Sequence, residues 1–151
     1  MKNSKIIFTG SFAAGKSSIL AQLLGDTFQS SYHTTIGPRF LEHKRGKDHY
    51  FFVDLGGEVG QEKIPAIRFI NAKHIVYVVD LSRPQLFEQA KKDLTFLSRQ
   101  YPDIPLHFLA NKQDLLDEDI LAKRLAALPQ EPILVCSAKT AENIQEIWKL
   151  F

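Results

Sequence analysis

Residues 10–17, which read Gly-Ser-Phe-Ala-Ala-Gly-Lys-Ser, combine the residue types that hold a phosphate group. Glycine lets the backbone curl until several N–H groups point at one anion. A lysine adds a mobile positive charge, and a hydroxyl one residue later can ligate the Mg²⁺ that accompanies phosphates. The predicted phosphate contacts are Gly10, Ser11, Phe12, Ala13, Ala14, Gly15, Lys16, Ser17 and Ser18.

Both flanks of this loop agree with that prediction. The apolar run Ile6-Ile7-Phe8 predicts a buried strand before the loop, and a helical pattern begins at Ser18. A helix that starts directly after the loop adds its positive N-terminal end to the anion site. A chance glycine turn, which is the alternative, does not require both flanks.

A second polar element, Asn111-Lys112-Gln113-Asp114, follows an apolar run that ends at Ala110. In a doubly wound sheet, ligands bind at the carboxyl ends of the strands. A carboxylate at Asp114 can accept from both the ring N–H and the exocyclic amine of guanine, a pair that adenine does not offer. Ser137-Ala138-Lys139 follows the last predicted strand and is expected to support the base, with the Ala138 N–H aimed at the guanine oxygen.

Strands and helices alternate along the chain, which predicts a parallel sheet covered by helices on both faces. The predicted strands are residues 5–9, 39–45, 49–55, 74–80, 106–110 and 133–136, with 39–45 and 49–55 forming one antiparallel hairpin. The predicted helices are residues 17–24, a long helix opened by Pro84, residues 118–128, and a closing helix with an apolar stripe at Ile144, Ile147, Trp148 and Phe151. Ile64, Ile67 and Ile70 also have helical spacing.

Length and composition limit the alternatives. A chain of 151 residues with 44% hydrophobic residues predicts a single domain, residues 1–151. A net charge of +2 gives no reason to expect nucleic acid as a partner, and the single cysteine, Cys136, excludes an internal disulfide and favours a cytoplasmic location. The sequence carries no signal peptide, membrane span or lipid-anchor motif, so we expect it to reach membranes only through partners or a further tail. We also expect a monomer.

Taken together, these motifs resemble the small GTPases of the Ras superfamily over essentially the whole chain. Within that superfamily the chain is most similar to the Arf and Arf-like branch, because it reads Thr34-Thr35-Ile36-Gly37, Asp54-Leu55-Gly56-Gly57 and Ala110-Asn111-Lys112-Gln113-Asp114-Leu115. Phe28 and Tyr32 are instead similar to Ras and Rab proteins, in which these positions stack on the base and cover the phosphates.

The resemblance implies a P-loop NTPase fold, a mostly parallel six-stranded sheet with one antiparallel hairpin strand, and GTP or GDP bound with Mg²⁺. Lys16 would bridge the β- and γ-phosphates, and the Gly57 N–H would contact the γ-phosphate. Ser17 and Thr35 would ligate Mg²⁺, and Asp54 would hold it through water. Loss of the γ-phosphate would then release both loops and change their contacts with effectors, exchange factors and activators.

Two residues depart from the family pattern. Glu58 stands where most of the family has the glutamine that orients the attacking water, and an ionised carboxylate cannot donate a hydrogen bond. The catalytic candidates are therefore Glu58, with Gln61 as a second possibility, together with Lys16 and Thr35. Phe12 replaces a glycine or a small polar residue, and its ring either obstructs an activator's arginine or turns outward.

The sequence thus predicts a guanine-nucleotide switch that hydrolyses GTP slowly. When GTP is bound, it is expected to present Thr35 to Gly37 and Gly57 to Ile70 to effectors. Glu58 and Phe12 keep open an alternative, a GTP-bound docking module that hardly turns over. A P-loop kinase or ATPase is disfavoured by Asn111-Lys112-Gln113-Asp114 and by the lack of an arginine-rich insertion.

Overall fold

The computed structural model describes residues 1–25, 38–56 and 60–151. Its strands are β1 Asn3–Gly10, β2 Arg39–Arg45, β3 Asp48–Asp54, β4 Ala72–Asp80, β5 Leu106–Asn111 and β6 Leu134–Val135. The α-helices within this part of the chain are α1 Lys16–Leu24, α2 Phe87–Gln100 and α3 Glu118–Ala127.

The six strands form one sheet in the order β2-β3-β1-β4-β5-β6. Strands β2 and β3 are antiparallel, and every other neighbouring pair is parallel, as the sequence predicts. Because β1, β3, β4 and β5 run in the same direction, their carboxyl ends meet at one edge of the sheet. The phosphate loop after β1 and the Asn111 segment after β5 therefore lie on the same side of the molecule.

The alternation of side chains along β1 divides the core into two layers. Ile6 and Phe8 point to the face that α1 and Trp148 cover, whereas Ile7 points to the face covered by α2. All three β1 side chains are fully buried. Such burial on both faces explains why β1 reads as a continuous apolar run rather than an alternating one.

Two segments with helical spacing in the sequence form 3₁₀ helices rather than α-helices. Ile64, Ile67 and Ile70 do not form one face of an α-helix, because the segment contains two 3₁₀ turns, Gln61–Lys63 and Ala66–Phe69, with Pro65 between them. Ile67 and Ile70 are exposed there. The closing segment is likewise a 3₁₀ helix, Gln145–Leu150, although it still buries Ile147 and Trp148.

None of the helices within the described ranges has the length and apolar character needed to cross a membrane.

Candidate functional site

The loop between β1 and α1 has two positions that only glycine fits. Gly10 has φ 151°, and a Cβ placed on it would lie 2.2 Å from the carbonyl oxygen of Val78. Gly15 has φ 92°, and a Cβ there would lie 2.4 Å from Nδ2 of Asn111. The two glycines are therefore required by close backbone and side-chain approaches, in addition to their left-handed torsions.

Asn111 at the end of β5 joins the phosphate loop to the loop after β6. Its Nδ2 donates to the carbonyl oxygen of Ala14 at 3.0 Å, and its Oδ1 accepts from the backbone N–H of Ala138 at 3.1 Å. The side chain is 1% exposed. A buried amide with partners on both sides holds the two loops at a fixed separation.

The backbone N–H of Ala138 is the group that the sequence predicts to contact the guanine oxygen. In this structure it donates to Asn111 Oδ1, and its contact with guanine stays a prediction. The neighbouring side chain, Ser137, is fully buried and its hydroxyl donates to Asp114 Oδ1 at 2.7 Å. Ser137 thus positions the carboxylate that the sequence predicts to read the base.

Lys112 crosses from the Asn111 segment to the phosphate loop. Its Nζ donates to the carbonyl oxygen of Ala13 at 3.1 Å and lies 2.9 Å from Oδ2 of Asp80. Asp80, at the end of β4, is 1% exposed, so its charge is compensated inside the protein. Lys112 therefore connects β4 to the phosphate loop, besides any contact that it makes with a ligand.

These loops surround a cavity of about 680 Å³, a size typical of small-molecule sites. Its lining combines one side of α1 and the residue before it with both predicted base-binding loops: Gly15, Ser18, Ala21, Gln22, Asn111, Lys112, Asp114, Leu115, Ala138 and Lys139. The cavity thus brings together residues that the sequence predicts to hold phosphate and residues that it predicts to read the base, although they lie far apart in the sequence.

The predicted metal ligands Ser17 and Asp54 are in contact. Ser17 follows Lys16 at the end of the phosphate loop, and Asp54 is the last residue of β3. Ser17 Oγ donates to Asp54 Oδ2 at 2.9 Å. Burial raises the pKa of the Asp54 carboxyl, while the hydrogen bond from Ser17 and the charges of Lys16 and Arg39 act to lower it. Within the described residues, no three His, Cys, Asp or Glu side chains cluster as a metal site. A hydroxyl and a carboxylate nevertheless suit Mg²⁺, which uses few protein ligands and takes the rest from phosphate and water.

Gln61 does not line the cavity. It is fully buried, and its Nε2 donates to the hydroxyl of Thr9 on β1 at 2.7 Å. This placement does not favour Gln61 as the residue that orients water. Sequence reasoning missed its partners Thr9 and Asp93, although a hydroxyl in an apolar strand and a carboxylate beside the inward-facing Leu94 were signals for them.

Phe12 turns outward, with 51% of its surface exposed. Arg83, from the loop after β4, donates through Nη1 to the carbonyl oxygen of Phe12 at 3.2 Å. Its guanidinium carbon lies 6.0 Å from the centre of the Phe12 ring. Arg83 was missed because nothing in the local sequence connects it with a loop that lies 71 residues away.

Several predicted site residues fall in residues 26–37 and 57–59, outside the described part of the chain. They are Phe28, Tyr32, Thr34, Thr35, Ile36, Gly37, Gly57 and Glu58. Their roles remain predictions from the sequence.

Comparison with known proteins matches residues 5–151 to the Ras family. The chain is similar to the GTP-binding protein ypt5 of Schizosaccharomyces pombe, with 30% identity over 97% of this chain and 74% of that protein. It is also similar to the Ras-related protein RABF2b of Arabidopsis thaliana, with 30% identity over 97% of this chain and 78% of the relative. The GTP-binding protein YPT53 of Saccharomyces cerevisiae is 29% identical over 96% of this chain and 73% of its own length.

These names correct the expected subfamily. Three short motifs favour the Arf and Arf-like branch, but the relatives carry Ypt and Rab names. Short loop motifs describe the site alone, whereas identity over nearly the whole chain also reflects the core and the surface. The Arf-like assignment is therefore not supported.

Proposed function

Because the chain belongs to the Ras family of small GTPases, we propose that it is a guanine-nucleotide switch that binds GTP and GDP with Mg²⁺ and hydrolyses GTP slowly. The observation that carries the proposal is the position of Asn111. Its side chain holds the phosphate loop and the loop after β6 on two sides of one cavity of about 680 Å³.

The phosphate loop supplies the groups that an anion needs. The positive φ values of Gly10 and Gly15 let the loop curl, and α1 starts at Lys16 with its N–H groups facing the loop. In this proposal Lys16 neutralises the terminal phosphates. Gly10 to Ser18 hold the phosphates mainly through the backbone, which explains why apolar Ala13 and Ala14 are compatible with such a site.

Asp114 reads the base in this proposal. Its Oδ1 is already oriented by Ser137, so the carboxylate meets a ligand without having to be ordered first. Guanine offers two adjacent N–H donors to such a carboxylate and adenine does not. Lys112, Ala138 and Lys139 line the same cavity and complete the base pocket.

The pair Ser17 and Asp54 fits Mg²⁺, with Thr35 proposed as the further ligand. When bound, Mg²⁺ would neutralise phosphate charge and link the nucleotide to Thr35. Metal binding needs an ionised carboxylate. Burial raises the pKa of Asp54, and the hydrogen bond from Ser17 and the positive charges of Lys16 and Arg39 oppose that rise. We propose that Thr35 to Gly37 and the segment that begins at Gly57 present different surfaces to effectors in the two nucleotide states.

Slow hydrolysis is proposed from Glu58 and from the burial of Gln61. Glu58 aligns with the water-orienting glutamine but, when ionised, accepts hydrogen bonds without donating any. The Gln61 amide is bonded to Thr9 and therefore does not supply the missing donor. The docking-module alternative is retained because Glu58 replaces the water-orienting glutamine and because the outward-facing Phe12 ring is half exposed, where a partner can contact it.

The test is single-turnover hydrolysis of GTP by the wild-type protein and by Glu58→Gln, Phe12→Gly and Glu62→Gln. We expect slow turnover in the wild type and an acceleration of about tenfold or more in Glu58→Gln, because an amide can both donate to and accept from water. Glu62→Gln removes a nearby exposed carboxylate in the same way and should leave the rate unchanged. Acceleration in Phe12→Gly would show that the ring also limits the reaction.

Two results would contradict this proposal. A chain that binds GTP but shows no turnover in any variant would be a docking module. A chain that prefers ATP to GTP would not be a guanine-nucleotide switch.

A further inference from the structure

Three successive carbonyl oxygens of the phosphate loop accept hydrogen bonds from side chains of other segments. The oxygens and their donors are Phe12 with Arg83 at 3.2 Å, Ala13 with Lys112 at 3.1 Å, and Ala14 with Asn111 at 3.0 Å. The last two donors belong to the predicted base-reading segment, whereas Arg83 lies in the connection between β4 and α2. Arg83 is part of none of the motifs that predict nucleotide binding, so its contact calls for a separate explanation.

The hydrogen bond from Arg83 also fixes the direction of an N–H group. The carbonyl of Phe12 and the N–H of Ala13 belong to one planar peptide unit and point in opposite directions. An oxygen held by Arg83 therefore turns the Ala13 N–H to the opposite side of the loop. Successive backbone N–H groups turned to one side of such a loop form a concave site for an anion such as phosphate.

Ala13 has a backbone conformation that is unfavourable for alanine. Its φ is 55°, in the left-handed region that residues with a Cβ rarely adopt. Arg83 and Lys112 bind the carbonyl oxygens of the two peptide units that flank Ala13. Both bonds oppose rotation of Ala13 to a negative φ, so they stabilise the strained loop.

The surroundings of Arg83 place its side chain over the loop. The Asp80 carbonyl oxygen accepts from the Arg83 N–H at 3.1 Å, and Asp80 Oδ1 accepts from the N–H and the hydroxyl of Ser82 at 2.8 and 2.6 Å. Oδ2 of the same buried carboxylate pairs with Lys112. The guanidinium carbon of Arg83 lies 6.0 Å from the centre of the Phe12 ring, at the outer limit of a cation–π contact. Asp80 therefore orders the segments of both cationic side chains that reach the phosphate loop.

We propose that Arg83 is a positioning residue for nucleotide binding, which holds the peptide between Phe12 and Ala13 so that the Ala13 N–H faces the phosphates. This inference rests on the proposed function and adds to it a residue outside the predicted motifs. Arg83 acts through the backbone of the loop, without touching the nucleotide. Because the peptide is oriented before the ligand arrives, less ordering accompanies binding and the affinity is higher.

The rate of GDP dissociation tests this role on the full chain, with excess unlabelled GDP displacing a fluorescent GDP. Arg83→Gln removes the charge and shortens the side chain, and should raise the dissociation rate about three- to tenfold, the range expected for one hydrogen bond. Arg83→Lys keeps a charged donor and should restore the rate to within about twofold of the wild type. The matched control, Arg99→Gln, removes the same charge from the last turn of α2 and should leave the rate unchanged.

A substitution at Ala13 separates this role from a direct attraction between Arg83 and phosphate. Glycine adopts a positive φ without the cost that alanine has, so the loop of Ala13→Gly depends less on the Arg83 contact. Adding Arg83→Gln to Ala13→Gly should therefore raise the dissociation rate by less than about twofold. Equal increases with alanine and with glycine at this position would overturn the inference, as would an unchanged rate in Arg83→Gln alone.

The Cα and Cβ chemical shifts of Ala13 test the same contact in the nucleotide-free protein, because they report its left-handed backbone. Arg83→Gln should move these shifts towards those of an unrestrained alanine, and Arg99→Gln should not. Unchanged shifts in Arg83→Gln would overturn the inference. A wild-type chain that binds no guanine nucleotide contradicts the proposed function, and the Ala13 shifts then still decide whether Arg83 holds the peptide.

Discussion

A few side chains at this site have two roles, because the groups that would meet a ligand also hold the protein together. Lys112 lines the cavity and also pairs with Asp80 and the phosphate loop. Asp114 is proposed to bind guanine while it accepts from Ser137. Substitutions at such residues affect affinity and structure together, so each test needs a change that keeps the shape.

Asp114→Asn is such a change for the base assignment. The new amide keeps an oxygen for Ser137 but loses the charge and one acceptor, so we expect guanine affinity to fall by about 10- to 100-fold, or roughly 1–3 kcal/mol, and the preference to shift towards xanthine. Competition of GDP and xanthosine diphosphate for a fluorescent nucleotide measures this. Asp117→Asn makes the same replacement at the N-cap of α3 and should leave base preference unchanged. Retained guanine preference in Asp114→Asn would rule out the assignment.

At the scale of elements, a histidine pair joins β4 to β5 near the amino ends of the strands. His74 Nδ1 lies 3.0 Å from His107 Nε2, so one ring donates to the other when both are neutral. Burial lowers the pKa of both rings, with the charge of Lys2 adding to the effect at His74 and the neighbouring His74 adding to it at His107. Protonation of both rings removes the acceptor nitrogen and disrupts the contact.

This pair predicts a loss of stability in acid. Because the folded pKa of each ring lies below the usual histidine value of about 6.5, the folded state binds fewer protons than the unfolded state as the pH falls below that value. The free energy of unfolding should therefore be highest above about pH 6.5 and decrease towards pH 5. Urea unfolding at several pH values measures it, and His107→Gln should show a weaker dependence. Equal slopes in both proteins would contradict the role of the pair.

A strand or helix can be predicted from the sequence when the residues that determine it lie within the element itself. The runs around Ile7 and Val78 predict β1 and β4 because burial on both faces requires continuous apolar sequence. The spacing of Ile64, Ile67 and Ile70 is misleading. Pro65 interrupts the backbone hydrogen bonds, and Ile67 and Ile70 remain exposed.

The site was predictable in its chemistry but not in its supporting contacts. The glycine loop and Asp114 carry their function in residue type and spacing. Asn111 and Ala14, however, lie 97 residues apart, and Gln61 and Thr9 lie 52 apart. No local pattern encodes which buried polar groups meet after folding, so the roles of Asn111 and Gln61 as connectors emerge only from the structure.

At the scale of the whole molecule, both hydrophobic layers share one sheet and should unfold together. Ile147 belongs to the layer under α1, and Leu94 belongs to the layer under α2. Trp148, the single tryptophan, reports on the first layer. Far-ultraviolet circular dichroism reports on all helices and strands. Trp148 fluorescence and circular dichroism together therefore compare the unfolding of one layer with that of the whole domain.

We expect coincident urea transitions for Trp148 fluorescence and circular dichroism, as in a single cooperative domain. Leu94→Ala and Ile147→Ala should each lower stability by about 2–5 kcal/mol and shift both signals equally, although they lie on opposite faces. A Leu94→Ala variant in which circular dichroism alone changes would show that the layers unfold independently.

The buried thiol of Cys136 bears on how the protein can be studied. The side chain is fully buried, its Sγ lies 3.7 Å from Asn111 Oδ1, and burial raises its pKa to about 12. Maleimides react with thiolates, which this residue does not form near neutral pH. A dye can therefore be attached to a cysteine introduced at an exposed position such as Ile67, with the natural cysteine left in place.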